Sequence, residues 1–182
     1  GMVTPTLDVD ELDKRITDLE TLLGGLATEA KTQSAAVTRH EAAQALHASS
    51  LKEAESRFAQ ASQNLQNLPG REAYEKWKRS CDTRSKDYSL YVCSYGNRNA
   101  FSPIAKAEAE LPGLQKLVET ARGTLEASQA ALAEVQGLWA QANQSLAATS
   151  EEKNAKDTEV SGVKRSLFTT RELISPARSM VA

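Results

Sequence analysis

Stepping alternately by three and four residues from Val9, through Leu12, Ile16 and Leu19 and on to Leu65 and Leu68, visits eighteen positions, of which fourteen are apolar. The same stepping from Ile104 to Thr149 finds twelve apolar residues among fourteen. A period of about 3.5 residues held this long without a slip marks a coiled-coil seam, not a short globular helix. Beyond Thr149 the seam turns polar at Lys153 and Lys156, then resumes in phase at Val160, Val163 and Leu167. Ala, Leu, Glu, Gln, Lys and Ser dominate and only nine of 182 residues are aromatic, so the expected fold is all-α.

The tripeptide Leu-Pro-Gly occurs twice, at 68–70 and 111–113, and each copy is expected to break or kink its helix. Residues 9–68 and 114–173 then form equal arms of sixty residues, with a stop at Pro176. Equal arms around a central insertion predict a long antiparallel coiled-coil hairpin of about 90 Å. Its parts are a first stalk arm at 8–68, a head at 69–112 and a second arm at 113–175, with Leu65 meeting a neighbour near Val118. A competing fold bends both arms back at Gly24-Gly25 and at 150–156, where Thr149 and Glu152 spell a capping box, and gives a shorter four-helix bundle. Continuity of the heptad phase across both weak points favours the hairpin. Ala-rich flanks, among them Ala35, Ala36, Ala42, Ala43, Ala130, Ala131 and Ala133, widen the apolar stripe and predict a homo-oligomer.

The head holds six of the nine aromatic residues, including every tyrosine, and both cysteines, Cys81 and Cys93. Residues 71–98 carry a local charge of +3 within a chain of net −2. The spacing predicts a helix over 71–80 with Tyr74, Trp77 and Cys81 on one face. Alternation of Tyr91, Cys93 and Tyr95 with Leu90 and Val92 predicts a short extended piece, Gly96-Asn97 a turn, and Ser102-Pro103 a helix start. So small a head requires either aromatic packing or a staple. A Cys81–Cys93 disulfide closing a thirteen-residue loop would contribute up to about 3 kcal/mol and would place the protein in an oxidising compartment, periplasm or cell surface. With eleven residues between the thiols and no histidine in the head, no metal site is expected. Trp77 and Phe101 are the expected core. Tyr88, Tyr91 and Tyr95 with Arg84 and Arg98 are the candidate partner-binding residues, offering large contact area with polar handles.

On the first arm His40, Gln44 and His47 occupy the seam as a polar layer that fixes register, aligned with Leu138, Trp139 and Ala142. The two histidines lie about 10.5 Å apart along a helix, too far to share an ion. No phosphate-binding glycine loop, HExxH, GxSxG or nucleophile with an adjacent base is present, so neither catalysis nor a cofactor is expected. The acidic cluster Asp8, Asp10, Glu11 and Asp13 complements the start of the first helix. A net charge of −2 argues against a nucleic-acid partner, and no run approaches the length of a membrane span. Gly1 ahead of Met2 is what a cleaved tag leaves, so the lack of a leader weighs little.

These readings converge on a non-enzymatic, extracytoplasmic scaffold or adaptor whose stalk presents the head to a protein partner or an anionic surface. Two alternatives stand beside it: a glycan- or peptide-binding module using the head tyrosines, and a cytosolic coiled-coil assembly factor such as a phage encodes, with reduced thiols.

Overall fold

The computed structural model describes the backbone of residues 5–96 and 98–181 and the side chains of 9–96 and 99–169. Four helices follow one another: α1 (Pro5–Asn67), α2 (Arg71–Cys81), α3 (Leu90–Tyr95) and α4 (Arg98–Val181). The two long helices pack antiparallel, and the short disulfide-linked segment joins them, so the fold is an all-α helical hairpin. Both long helices run unbroken through Gly24-Gly25 and through 150–156, which removes the folded-back bundle.

The heptad reading accounts for what is buried. From Val9 to Leu68 every seam position is buried or half-buried, including the polar Gln33, His40, Gln44 and His47. On α4 the same holds from Ile104 to Leu167 except at Trp139, which is 38% exposed. The phase continues through Lys153 and Lys156, both half-buried, so the polar stretch is an interruption of chemistry and not of register.

The chain forms two compact units. One gathers the chain up to His40 with the chain from Leu132 onward. Its seam is closed by Val9, Leu19, Ala30 and Val37 on α1 and by Ala142 and Val160 on α4, with Leu19 fully enclosed. Across this seam the Arg15 guanidinium donates to Glu152 Oε1 from Nη2 at 2.7 Å and from Nε at 3.1 Å. Lys153 bridges Asp157 at 3.0 Å and Glu20 at 3.8 Å, and the hydrogen bond to Asp157 chiefly holds its ammonium above the ordinary lysine range. The lysine is thereby partnered on a stripe that would otherwise strand its charge. Each exposed ion pair contributes little to stability but helps to select register.

The second unit is Glu41–Ala131. Its core is Leu65, Tyr74 and Ile104, with Leu68, Trp77, Phe101, Ala107 and Leu111 packed against them. Here the structure corrects the expected register. Leu65 shares its core with Ile104 and not with Val118, and Glu55 pairs with Arg122 at 3.7 Å, so within this unit the helices are offset by one to two heptads from the predicted alignment.

The offset follows from the two prolines. At the first, α1 does end, because Gly70 turns the chain with φ 80°, a left-handed conformation open to glycine. At the second there is no end: α4 begins at Arg98 and runs through Leu111-Pro112-Gly113, and it also runs on past Pro176. A helix-interior proline loses one backbone hydrogen bond, but Ala107 and Leu111 on the preceding turns are anchored in the core with Leu65 and Ile104, which keeps the helix continuous. Ser102-Pro103 likewise lies inside the first turns of α4 instead of starting it.

Candidate functional site

The connecting segment is built from two short helices and a chain of local turns. α2 starts at Gly70, whose carbonyl accepts from Tyr74 N at 2.9 Å, and ends where Asp82 N donates to Arg79 O at 3.2 Å. The loop that follows is held by its own polar side chains. Arg84 N donates to Asp82 Oδ1 at 2.9 Å and Asp87 N to Ser85 Oγ at 3.1 Å, two Asx- and Ser-type turns in succession. Ser89 N then returns to Ser80 O at 2.9 Å, which brings the chain back to the end of α2.

Ser89 caps α3. Its Oγ accepts from Val92 N at 3.3 Å and its carbonyl from Cys93 N at 2.9 Å, so residues 90–95 are helical and not extended as their alternation predicts. Six residues cannot hold a helix unaided. The Cys81–Cys93 disulfide supplies the tie, joining the end of α2 to α3 with Cα atoms 4.9 Å apart. Trp77 adds a second tie by donating from Nε1 to Cys93 O at 3.2 Å. Gly96 lies against the indole so closely that a Cβ there would fall 2.6 Å from Trp77 Cδ1.

The aromatic residues divide into two sets. Tyr74, Trp77 and Phe101 form an inner cluster with ring centroids 5.5–6.2 Å apart, and Tyr74 is only 5% exposed. The Tyr74 hydroxyl donates to Glu108 Oε2 at 3.1 Å, and Lys78 Nζ reaches the same carboxylate at 3.3 Å while lying 4.9 Å from the Tyr74 ring centroid. Burial pushes the Tyr74 phenol above its ordinary value, and the hydrogen bond and charge of Glu108 push it the same way. For Lys78 burial acts downward, but the hydrogen bond and charge of Glu108 outweigh it and hold the ammonium above its usual range. The triad is a structural lock between α2 and α4.

The outer set faces solvent. Tyr91 and Tyr95, one helical turn apart on α3, pack ring against ring at 4.9 Å and are 72% and 77% exposed. Leu90 and Val92 are exposed beside them, as is Tyr88 in the loop. The helix, unlike the predicted strand, turns Leu90 and Val92 outward with the tyrosines. That apolar extension escaped the alternation reading, although Ser89 as a cap and the i, i+4 spacing of Tyr91 and Tyr95 pointed to it. Arg84 and Lys86 are exposed on the adjoining loop, whereas Arg79 is engaged by Asp87 at 3.3 Å. The side chain of Arg98 lies outside the described residues.

The seam residues His40, Gln44 and His47 are half-buried but belong to different units, His40 to one and the other two to Glu41–Ala131. Among the described residues no three His, Cys, Asp or Glu side chains gather as a metal site would require, and no helix is long and apolar enough to cross a membrane. Compared with protein-family models, curated proteins and solved structures, the chain matches none of them.

Proposed function

We propose that the protein is a non-enzymatic scaffold or adaptor of an oxidising, extracytoplasmic compartment, and that its helical hairpin holds the disulfide-linked head in place to dock a protein partner. The observation that carries this reading is the division of labour among the rings. Tyr74, Trp77 and Phe101 pack the head, while Leu90, Tyr91, Val92 and Tyr95 are turned to solvent on a helix of six residues stapled by a disulfide and a tryptophan hydrogen bond. Large apolar side chains held outward on a rigid support carry little ordering penalty on binding, which is how a contact anchor gains affinity. The exposed Arg84 and Lys86 give the rim of the patch positive charge. The disulfide supports the compartment, because such bonds persist where thiols are not kept reduced.

Two measurements test this. A photo-reactive side chain at position 95, introduced in the native host, should trap a specific protein that a probe at the exposed Leu46 does not. Trapping from position 90 should be lost on Tyr91→Ala/Tyr95→Ala with the helix content unchanged. Equal yields at positions 95 and 46 would remove the docking role. Two titratable thiols in protein taken unreduced from its host would remove the compartment.

A further inference from the structure

The outer tyrosine pair is placed for a reaction as well as for contact. Tyr91 and Tyr95 lie one turn apart on α3, with ring centroids 4.9 Å apart and planes inclined by 42°. Aromatic rings in contact stand about 4.5–7 Å apart, so this pair is near the close end of that range. Both rings are exposed and no residue of α3 is buried, so the pair is not part of a core. What keeps the rings together is their support. The Ser89 cap, the Cys81–Cys93 disulfide and the Trp77 bond to Cys93 O hold α3 helical, and i, i+4 spacing on a helix makes neighbours of two side chains.

The other two tyrosines are placed differently. Tyr74 is buried with Trp77 and Phe101 as its ring neighbours, so neither an outside oxidant nor a second phenol reaches it. Tyr88 is exposed, but among the described residues no ring lies against it. A coupling of two phenols within one chain therefore has one place to occur.

We propose that Tyr91 and Tyr95 are a site of oxidative modification, joined within the chain as a dityrosine by hydrogen peroxide acting through a haem peroxidase. Each phenol gives up one electron and one proton; the peroxide takes up both electrons and both protons and leaves as two molecules of water. The two phenoxyl radicals form one carbon–carbon bond between a Cε atom of each ring. The hydrogen on each joined carbon then passes to the oxygen of its own ring, which restores both phenols. The chain ends lighter by two hydrogen atoms. Exposed side chains rotate on the picosecond-to-nanosecond scale, so the rings reach bonding distance without unfolding α3. Holding both partners on one support also removes the wait for a second molecule. The bond spans one turn of α3 and fixes its exposed face, whether or not a partner docks there.

The full chain, with its disulfide intact, is treated at low concentration with a haem peroxidase and limiting hydrogen peroxide. The expected product is a single chain lighter by two hydrogens, with dityrosine fluorescence and the bond mapped to the peptide carrying residues 90–95. Its yield per chain should hold on further dilution. Tyr91→Phe and Tyr95→Phe should each lower the yield at least tenfold with helix content kept, and Tyr88→Phe should leave it unchanged. Coupling found only between chains, or an intrachain bond that survives Tyr95→Phe, overturns the proposal. In protein taken from its native host the same peptide should carry the bond in a fraction of the chains; intact phenols in every chain, even after peroxide challenge of the host, overturn the assignment as well. The docking test reads trapping of a partner and not this bond, so either can fail alone.

Discussion

Gly96→Ala sets two effects of opposite sign against each other. The backbone at Gly96, with φ −63° and ψ 151°, suits any residue, so on chain entropy alone alanine would stabilise by about 0.4–1 kcal/mol. Space argues the other way. The new methyl would lie 2.6 Å from Trp77 Cδ1, 2.7 Å from Nε1 and 2.8 Å from Val92 O, well inside van der Waals contact. The indole must withdraw by about 1 Å to restore contact distance, which stretches its 3.2 Å hydrogen bond to Cys93 O beyond useful range. Overpacking costs about 1–3 kcal/mol and the lost bond about 1 kcal/mol, so the steric term wins and the net loss is about 1–3 kcal/mol. The chain has two tryptophans, and a Trp139→Phe background leaves Trp77 as the sole indole reporter of urea unfolding. Its emission should change in the folded variant and its midpoint should fall. Gly70→Ala is the contrasting case, since a Cβ there meets nothing within 4 Å but φ is +80°. It should lose about 1 kcal/mol with Trp77 emission unmoved. A Gly96→Ala protein more stable than the parent, with the same emission, would refute the packing argument.

Replacing both cysteines by serine should destabilise the head by about 3 kcal/mol and raise amide exchange over residues 90–96, while circular dichroism shows little loss because α1 and α4 bury their seam elsewhere; unchanged exchange would mean that the Trp77 and Ser89 bonds suffice. Tyr74 and Lys78 both hold their protons more tightly folded than unfolded, so the stability they confer is complete below their ordinary values near 10 and is lost as pH rises through the higher folded values. Phenolate absorbance should accordingly show a late-ionising phase, and Tyr74→Phe should abolish it. Pro112→Ala should restore a helix-interior backbone donor and raise the thermal midpoint, by an amount equivalent to up to about 3 kcal/mol; an unchanged or lowered midpoint would show that the proline is required where it is.

The seam was legible because a coiled coil writes its contacts into a one-dimensional period, so that even Gln33, His47 and Lys153 take the burial of their heptad position regardless of polarity. The period does not carry register between antiparallel arms. Sliding one helix by a heptad leaves every seam residue facing a seam residue, and the true offset is set by the connection: by Gly70, which turns the chain, and by Pro112, which does not. Two identical Leu-Pro-Gly tripeptides behave differently because the second sits one turn beyond side chains already anchored on Leu65 and Ile104, whereas the glycine that ends the first takes a left-handed conformation and turns the chain.

In the head the limit is of another kind. Tyrosine occurs in both its inner and its outer rings, and what sorts them is a set of contacts distant in sequence: Glu108 under Tyr74, Cys93 O under Trp77, Gly96 against the indole. Tyrosine composition could nominate an interaction surface but not separate Tyr74, which locks α2 to α4, from Tyr91 and Tyr95, which face outward. The same sorting makes the docking proposal specific. Altering Tyr91 or Tyr95 perturbs a surface, while altering Tyr74, Trp77 or Gly96 perturbs the support beneath it, and a partner that reads the surface should respond to the first kind of change even when the second leaves the fold intact.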